Sequence, residues 1–181
     1  MEVSVVIPNY NGIAFLDSVL ASLEGQTLKN FEVIFVDNGS SDGSCSFVAG
    51  NYPWVHIIEL PENYGFCKAV NEGIKASRAP YVLLLNNDTE VKEDFLEEMV
   101  AAIRRHKRAF SCAARMVQYH DRDRLDDAGN FYNALGWSFA RGKGRDIHTS
   151  GRPDRMQLAE FPSRKPHESQ SIKRFPRCVR R

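Results

Sequence analysis

Hydrophobic residues recur along the chain with two periods, and the two alternate. Glu2 to Ile7 is a β-branched apolar run that stops at Pro8, the pattern of a strand buried on both faces of a parallel sheet. Phe15, Leu16, Val19, Leu20 and Leu23 follow at helical spacing, with Asn11-Gly12 as the start signal. Phe31 to Val36 predicts a second strand that runs straight into Asp37, and Asn38-Gly39-Ser40-Ser41-Asp42-Gly43 is loop chemistry. Val55 to Leu60 predicts a short third strand between Pro53 and Pro61. Phe66, Ala69, Val70, Gly73 and Ile74 then share one face of a helix over 65–77. Tyr81 to Leu85 is the most apolar strand and ends at Asn86-Asn87-Asp88. Phe95, Leu96, Met99, Val100 and Ile103 mark a further amphipathic helix, and Ala109 to Val117 one more strand. Strands alternating with helices imply an α/β fold, with a mostly parallel, Rossmann-like sheet and helices on both faces.

After about Asp146 the periodicity stops. Apolar residues become sparse and Pro, Ser, Arg and Lys take over, so residues 146–181 are expected to stay disordered, unable to bury enough surface to offset their ordering entropy. Charge divides at nearly the same place. Through residue 140 the chain has 12 Lys+Arg against 19 Asp+Glu; from 141 to 181 it has 12 against 4. A basic tail raises nucleic acid as a partner, but the acidic first 140 residues argue against it. The 43% hydrophobic and 26% charged residues match an ordinary globular domain. No apolar run approaches the roughly 20 residues of a membrane span, and the N-terminus lacks the features of a signal peptide. Cys45, Cys67, Cys112 and Cys178 show no CxxC spacing, which suits a reduced cytoplasmic setting. Peripheral association with the inner face of a membrane stays open.

Ligands of open α/β sheets bind beyond the carboxyl ends of the strands. Those ends are Pro8-Asn9-Tyr10, Asp37-Asn38-Gly39-Ser40 and Asn86-Asn87-Asp88, which converge on one edge if their strands are neighbours. Asp88, delivered by five apolar residues, suits a hard cation such as Mg²⁺ or Mn²⁺ that takes further oxygens from a diphosphate. On local sequence it equally suits the cap of a helix over Glu90 to Arg104. Asp37 is either an acceptor for a ligand N–H or a turn-former before Asn38-Gly39. The helix that begins near Gly65 could face phosphates with its N-terminus, and Lys68 could add charge or be a solvated lysine. Neither GxGxxG nor GxxxxGK[ST] occurs, and the five histidines lack zinc-site spacing.

Taken together, Val5 to Gly12, Glu32 to Gly43, Asn63-Tyr64-Gly65-Phe66 with Asn71-Glu72-Gly73, and Leu83 to Thr89 resemble glycosyltransferase family 2 in its rhamnosyl- and N-acetylglucosaminyl-transferase-like branch. The resemblance covers roughly residues 3 to 100 and implies a GT-A fold, with 1–145 as the nucleotide-sugar-binding domain. It implies that Pro8, Asn9 and Tyr10 flank the nucleotide base and that Asp37 accepts from its ring N–H, with Asn38, Gly39 and Ser40 completing the loop. Asn63, Gly65 and Phe66 would shape the diphosphate–ribose side, with Asn71 on the same helix. Asn86-Asn87-Asp88 stands in the place of the family's DxD motif, leaving Asp88 as the main metal ligand. The implied activity is metal-dependent transfer, with inversion, of a sugar from a UDP or dTDP donor to a glycan or lipid-linked acceptor in cell-surface polysaccharide synthesis.

The sequence departs from the family pattern after Asp146, where no Glu-Asp pair for a general base follows and Asp154, Glu160 and Glu168 lie in the basic tail. That departure predicts a fragment with an incomplete acceptor half and a tail that is disordered or translated out of frame. It leaves two alternatives to turnover by this chain: a nucleotide-sugar-binding domain without turnover, and a nucleotidyltransferase, against which the absence of a Gly-rich basic loop after the first strand counts.

Overall fold

A computed structural model describes residues 1–128, 130–132, 137–148, 157–160 and 177–180; the strands at 130–132, 138–140, 157–160 and 177–180 are described by their backbone alone. β1 (Val3–Asn9) lies between β4 (Tyr81–Leu84) and β2 (Phe31–Asp37), with β3 (His56–Glu59) beyond β2, all four parallel. The registers place Asn9 opposite Asp37 and Asp37 opposite Glu59, so the strands reach one rim together.

The alternation of β1 explains the two helix layers. Val3, Val5 and Ile7 point into a core shared with Leu16, Val19, Leu20 and Leu23 of α1 (Ile13–Glu24), Val48 of α2 (Ser44–Asn51), and Leu96, Met99, Val100 and Ile103 of α4 (Phe95–Arg105). Val6, on the opposite face, joins Ile34, Val36, Val82 and Leu84 beneath Ala69 and Val70 of α3 (Phe66–Ala76). Helices therefore cover both faces, as the periodicity implies. Each fully buried Leu, Ile or Phe contributes about 1.5–3 kcal/mol, so this two-sided core fixes the strand ends that carry the chemistry.

Three elements differ from the sequence reading. The run Ala109 to Val117 is two strands: β5 (Ala109–Ala113) belongs to the large sheet, whereas β6 (Met116–Val117) pairs with β7 (Leu125–Asp127). The break falls at exposed Arg115, a charge that cannot continue into a two-sided core. α2, which follows the loop at 38–43, has no counterpart in the sequence reading, because only Ser44 and Val48 of its eight residues are fully buried. The helix expected from Glu90 starts at Phe95, because Gln26, wholly buried at the end of α1, takes up the Leu96 amide with its Oε1 at 2.9 Å. Gln26 Nε2 also donates to the carbonyls of Ser22 (2.9 Å) and Lys92 (2.7 Å), which ties the chain after β4 to α1.

Within 146–181, where disorder is expected, the described residues include β10 (Gln157–Glu160), antiparallel to β5, and β11 (Arg177–Arg180), antiparallel to both β4 and β5. β11 fills the place between β4 and β5, where its backbone groups pair both neighbouring edges; hydrogen-bond pairing of this kind asks little of side-chain hydrophobicity. The described sheet order is thus β10-β5-β11-β4-β1-β2-β3. A hairpin of β8 (Asn130–Tyr132) and β9 (Ser138–Ala140) follows β7, and the remaining tail residues lie outside the described segments.

Candidate functional site

The carboxyl ends of β4, β1 and β2 open onto a cleft of about 390 Å³, within the range of small-molecule sites. Pro8, Asn9 and Tyr10 form its floor from β1, and Asn86, Asn87 and Asp88 one wall from beyond β4. Asn38, Asn63, Gly65 and Phe66, with Ala69, form the other wall. Ten of the residues singled out in the sequence thus meet in one place. Tyr10 and Phe66 stay 51% and 39% exposed there, apolar faces open to a ring or sugar.

Asp37, Gly39 and Ser40 line an adjoining hollow of about 500 Å³ between the start of α2 and Glu59-Leu60-Pro61. Asp37 is 3% exposed and sits amid donors: Oδ1 accepts from Asn9 Nδ2 (2.9 Å) and Ser40 Oγ (2.6 Å), and Oδ2 from the Ser40 amide (2.8 Å). The turn role and the binding role of Asp37 are therefore compatible, since the same carboxylate closes its own loop at the rim. Gly39 has φ +76°, and a Cβ there would stand 2.6–2.7 Å from the Glu62 backbone, so the loop after β2 and the loop after β3 touch through a glycine.

Side-chain amides fix the remaining walls. Asn38 Nδ2 donates to Asn63 Oδ1 (2.8 Å) while its Oδ1 accepts from the Tyr64 amide (3.0 Å); Asn63 Oδ1 also accepts from the Gly65 amide (2.9 Å). These bonds hold the start of α3 against β2. Asn9 Oδ1 accepts from Asn87 Nδ2 at 2.7 Å, so an unbroken hydrogen-bonded line runs from Asn87 through Asn9 to Asp37 and Ser40.

Asp88 is exposed, and its carboxylate has no hydrogen-bond or ion-pair partner among the described residues. It does not cap a helix: Asp94 stands at the N-cap of α4, six residues on, and the adjacent Thr89 hydroxyl donates to the Asn86 carbonyl (2.7 Å). Asp37 and Asp88 share the rim but are not side by side. β1 runs between their strands, which separates them by about two strand spacings, roughly 10 Å. Two other predicted residues stand outside the cleft lining. Lys68 pairs with Glu72 at 2.8 Å, one turn along the solvent side of α3, and Asn71 is exposed on the same helix.

Among the described residues, the lining of the cleft has one carboxylate and no Lys, Arg or His. Among the described residues no group of three or more His, Cys, Asp or Glu side chains could hold a metal ion. That donor set fits a hard cation which keeps waters and draws other oxygens from a bound diphosphate, using one protein carboxylate; it does not fit an all-protein cage.

Three residues at the rim escaped the sequence reading. Asn11, taken with Gly12 as a helix start, has φ 49° and uses its Oδ1 on the Ser41 amide (2.9 Å), while its own amide donates to Ser40 Oγ (2.9 Å). Asp42 Oδ2 accepts from the Ile13 amide (2.9 Å) at the start of α1 and Oδ1 from Ser44 (Oγ 2.6 Å, amide 3.0 Å) at the start of α2. Burial raises the Asp42 carboxyl, but those hydrogen bonds outweigh it and hold the group below its ordinary value. Cys45, behind Asp37, is pushed up to about 12 by burial and by the nearby Asp37 and Glu59 carboxylates, so it is no nucleophile at neutral pH. Asn-Gly and Ser-Ser-Asp-Gly marked these segments as turns; which partner each side chain takes is set by the meeting of two loops some 30 residues apart.

Comparison with known proteins gives the family of the chain. Streptococcus pneumoniae serotype 4 glycosyltransferase GlyG is 29% identical over 133 residues, 72% of this chain and 42% of that protein. Bacillus subtilis TuaG, a candidate teichuronic acid biosynthesis glycosyltransferase, is 29% identical over 128 residues, 68% of this chain and 50% of its own. The chain thus spans half or less of these relatives. Staphylococcus aureus TarS superposes with TM-score 0.61 at 26% identity, over 67% of this chain and 37% of the TarS 1–349 fragment, and a further structure of that fragment holds UDP-GlcNAc. The family model of glycosyl transferase family 2 matches residues 4–164, most of the sequence, so the chain belongs to glycosyltransferase family 2.

Proposed function

We propose that the chain is the donor-binding part of a metal-dependent, inverting glycosyltransferase that holds a nucleoside-diphosphate sugar in the cleft at the ends of β4, β1 and β2. One observation carries this reading: Asp88, an exposed carboxylate without a partner among the described residues, stands in a cleft whose described lining has no cationic side chain. A diphosphate entering such a cleft needs a cation to neutralise it, and Asp88 is the group that would hold Mg²⁺ or Mn²⁺ there. When bound, the cation would act as a Lewis acid on the leaving diphosphate. The chain's own residues do the rest. Tyr10 and Phe66 offer flat apolar surface for the base, Asp37 offers an acceptor at the far end of the rim, and the Asn38–Asn63 bond keeps the wall from closing. UDP or dTDP donors and a glycan or lipid-linked acceptor of cell-surface polysaccharide fit the reading; TarS bound to UDP-GlcNAc supports the nucleotide-sugar class.

A second reading, binding without turnover, draws on the same lining. Asp88 is its one acid, and a carboxylate engaged by a cation cannot also take the acceptor's proton.

Thermal unfolding of the chain with UDP, dTDP or GDP and their sugars, with and without Mn²⁺, tests the proposal. Specific ligation stabilises by mass action, about 2.7 kcal/mol at a hundredfold excess over Kd. One nucleotide class should raise the midpoint, and more so with Mn²⁺; no shift with any of them refutes donor binding. Release of free nucleoside diphosphate from a bound donor then separates transfer from binding alone.

A further inference from the structure

Asn9 is 2% exposed, and both ends of its side-chain amide are engaged. Its Nδ2 donates to Asp37 Oδ1 (2.9 Å) and Ser40 Oγ (3.2 Å), and its Oδ1 accepts from Asn87 Nδ2 (2.7 Å). A primary amide has two N–H donors. Its two acceptors are 2.6 Å from each other, too close to take the two divergent N–H groups separately, so both draw on the N–H that faces Asp37.

The direction of these bonds is dictated by chemistry. A carboxylate only accepts, so Asn9 must turn its NH₂ toward Asp37. Its carbonyl oxygen is then the end that meets Asn87, and it can only accept, so Asn87 must present its own NH₂. The orientation of an amide on the loop of Asp88 is thereby set from a carboxylate at the other end of the rim. A second observation places the same demand on the backbone. A Cβ at Gly12 would collide with Asn87 Nδ2 and lie 2.5 Å from Asn9 Oδ1, so residue 12 leaves room for this bond and for nothing larger.

We infer that Asn9 is a positioning residue that couples the two ends of the cleft, fixing the side chain of Asn87 next to the cation-binding Asp88 according to the carboxylate of Asp37. The inference rests on the donor-site reading above. It goes beyond that reading by assigning Asn9 the coupling of the two ends of the cleft.

The test is the Mn²⁺ enhancement of UDP binding: the ratio of UDP dissociation constants without and with Mn²⁺, measured by calorimetry on the full chain. Losses confined to the base end cancel in this ratio; losses at the cation end do not. Asn9→Ala and Asn87→Ala should each reduce the ratio by about tenfold, and the double variant by less than about twofold more, because groups in one hydrogen-bonded line are not additive. Asn9→Thr and Asn9→Val are near-isosteric and carry the same test should the alanine variant not fold. The threonine hydroxyl donates to Asp37 while accepting from Asn87, so the threonine variant should keep a ratio several-fold above that of the valine variant. An unchanged ratio in Asn9→Ala, fully multiplicative losses in the double variant, or equal ratios for threonine and valine would overturn the coupling while leaving donor binding intact. A wild-type chain that binds none of UDP, dTDP and GDP with or without Mn²⁺ would overturn donor binding, and the coupling with it.

Discussion

Replacing Gln26 with methionine keeps the length and bulk of the side chain but removes its hydrogen bonds. In the native chain the wholly buried Gln26 donates to the Ser22 and Lys92 carbonyls and accepts from the Leu96 amide. The Lys92 carbonyl keeps a partner in the Phe95 amide at 3.0 Å. The Ser22 carbonyl and the Leu96 amide lose theirs. Each buried group left unpaired costs about 1–3 kcal/mol, so Gln26→Met should lower stability by about 3–4 kcal/mol, near the middle of the sum. For a chain of this size that corresponds to a fall of about 10 °C in Tm. Urea unfolding followed by far-UV circular dichroism measures it directly. The loss should extend to function, because Gln26 restrains the chain between Asp88 and α4, and Mn²⁺-dependent nucleotide binding should weaken with it. A stability loss below about 1 kcal/mol would show that Gln26 does not hold the loop after β4, and would remove the reason given for α4 starting at Phe95.

Asp88→Asn should abolish the Mn²⁺-dependent part of nucleotide affinity while changing the unliganded stability by less than about 0.5 kcal/mol, since the side chain is exposed and unpartnered; calorimetry and urea unfolding read the two effects separately. Gly39→Ala should cost about 2 kcal/mol or more, from the left-handed backbone and the approach to Glu62, and should weaken nucleotide binding in the same thermal-shift assay. For Glu32, burial raises the carboxyl, but hydrogen bonds from Ser4 Oγ (2.6 Å) and the Arg78 amide, and the Arg78 guanidinium, prevail and hold it below its ordinary value of 4.5. A carboxyl depressed in the folded state adds stability that is complete above its unfolded value and is lost as pH falls through the lower folded value. Glu32→Gln should therefore be less stable than wild type at neutral pH and should lose less on acidification from pH 4.5 downward; parallel losses in urea titrations would contradict this.

Long apolar runs made much of this architecture legible. β1, β2, β4, α1 and α3 appear within a residue or two of where periodicity puts them, because each buries a continuous face. α2 was illegible for the opposite reason: only Ser44 and Val48 are fully buried, with Cys45 and Phe47 partly so, and eight residues rich in Ser, Gly and Asn show no clear apolar stripe. The role of Asp88 could not be settled locally, since capping and cation binding ask for the same residue type after a strand. A glutamine 70 positions before Leu96 removes the capping alternative, by supplying the acceptor that the start of α4 needs. The line from Asn87 to Asp37 was equally out of reach, because it depends on β1 standing between β4 and β2 with Asn9 opposite Asp37, a fact of topology and register.

That topology also accounts for the amide-rich rim. A cleft for a diphosphate must not repel it, yet it has to carry enough charge to hold a cation. On the proposed donor-binding reading, the rim would meet both demands by treating its two carboxylates differently. Asp37 is buried, where an unpaired charge would be costly, and three donors from Asn9 and Ser40 surround it. Asp88 is exposed, where a charge costs little to keep, and among the described residues it has no partner to compete with a cation. Between them stand asparagines, neutral groups that donate at one end and accept at the other. Only such a side chain at position 9 can satisfy a carboxylate on one side and an amide N–H on the other without adding charge to the cleft. An aspartate there would set a second carboxylate against Asp37, and a leucine would leave both neighbours unpaired, so the chemistry of the two ends narrows the middle of the rim to an amide or a small hydroxyl.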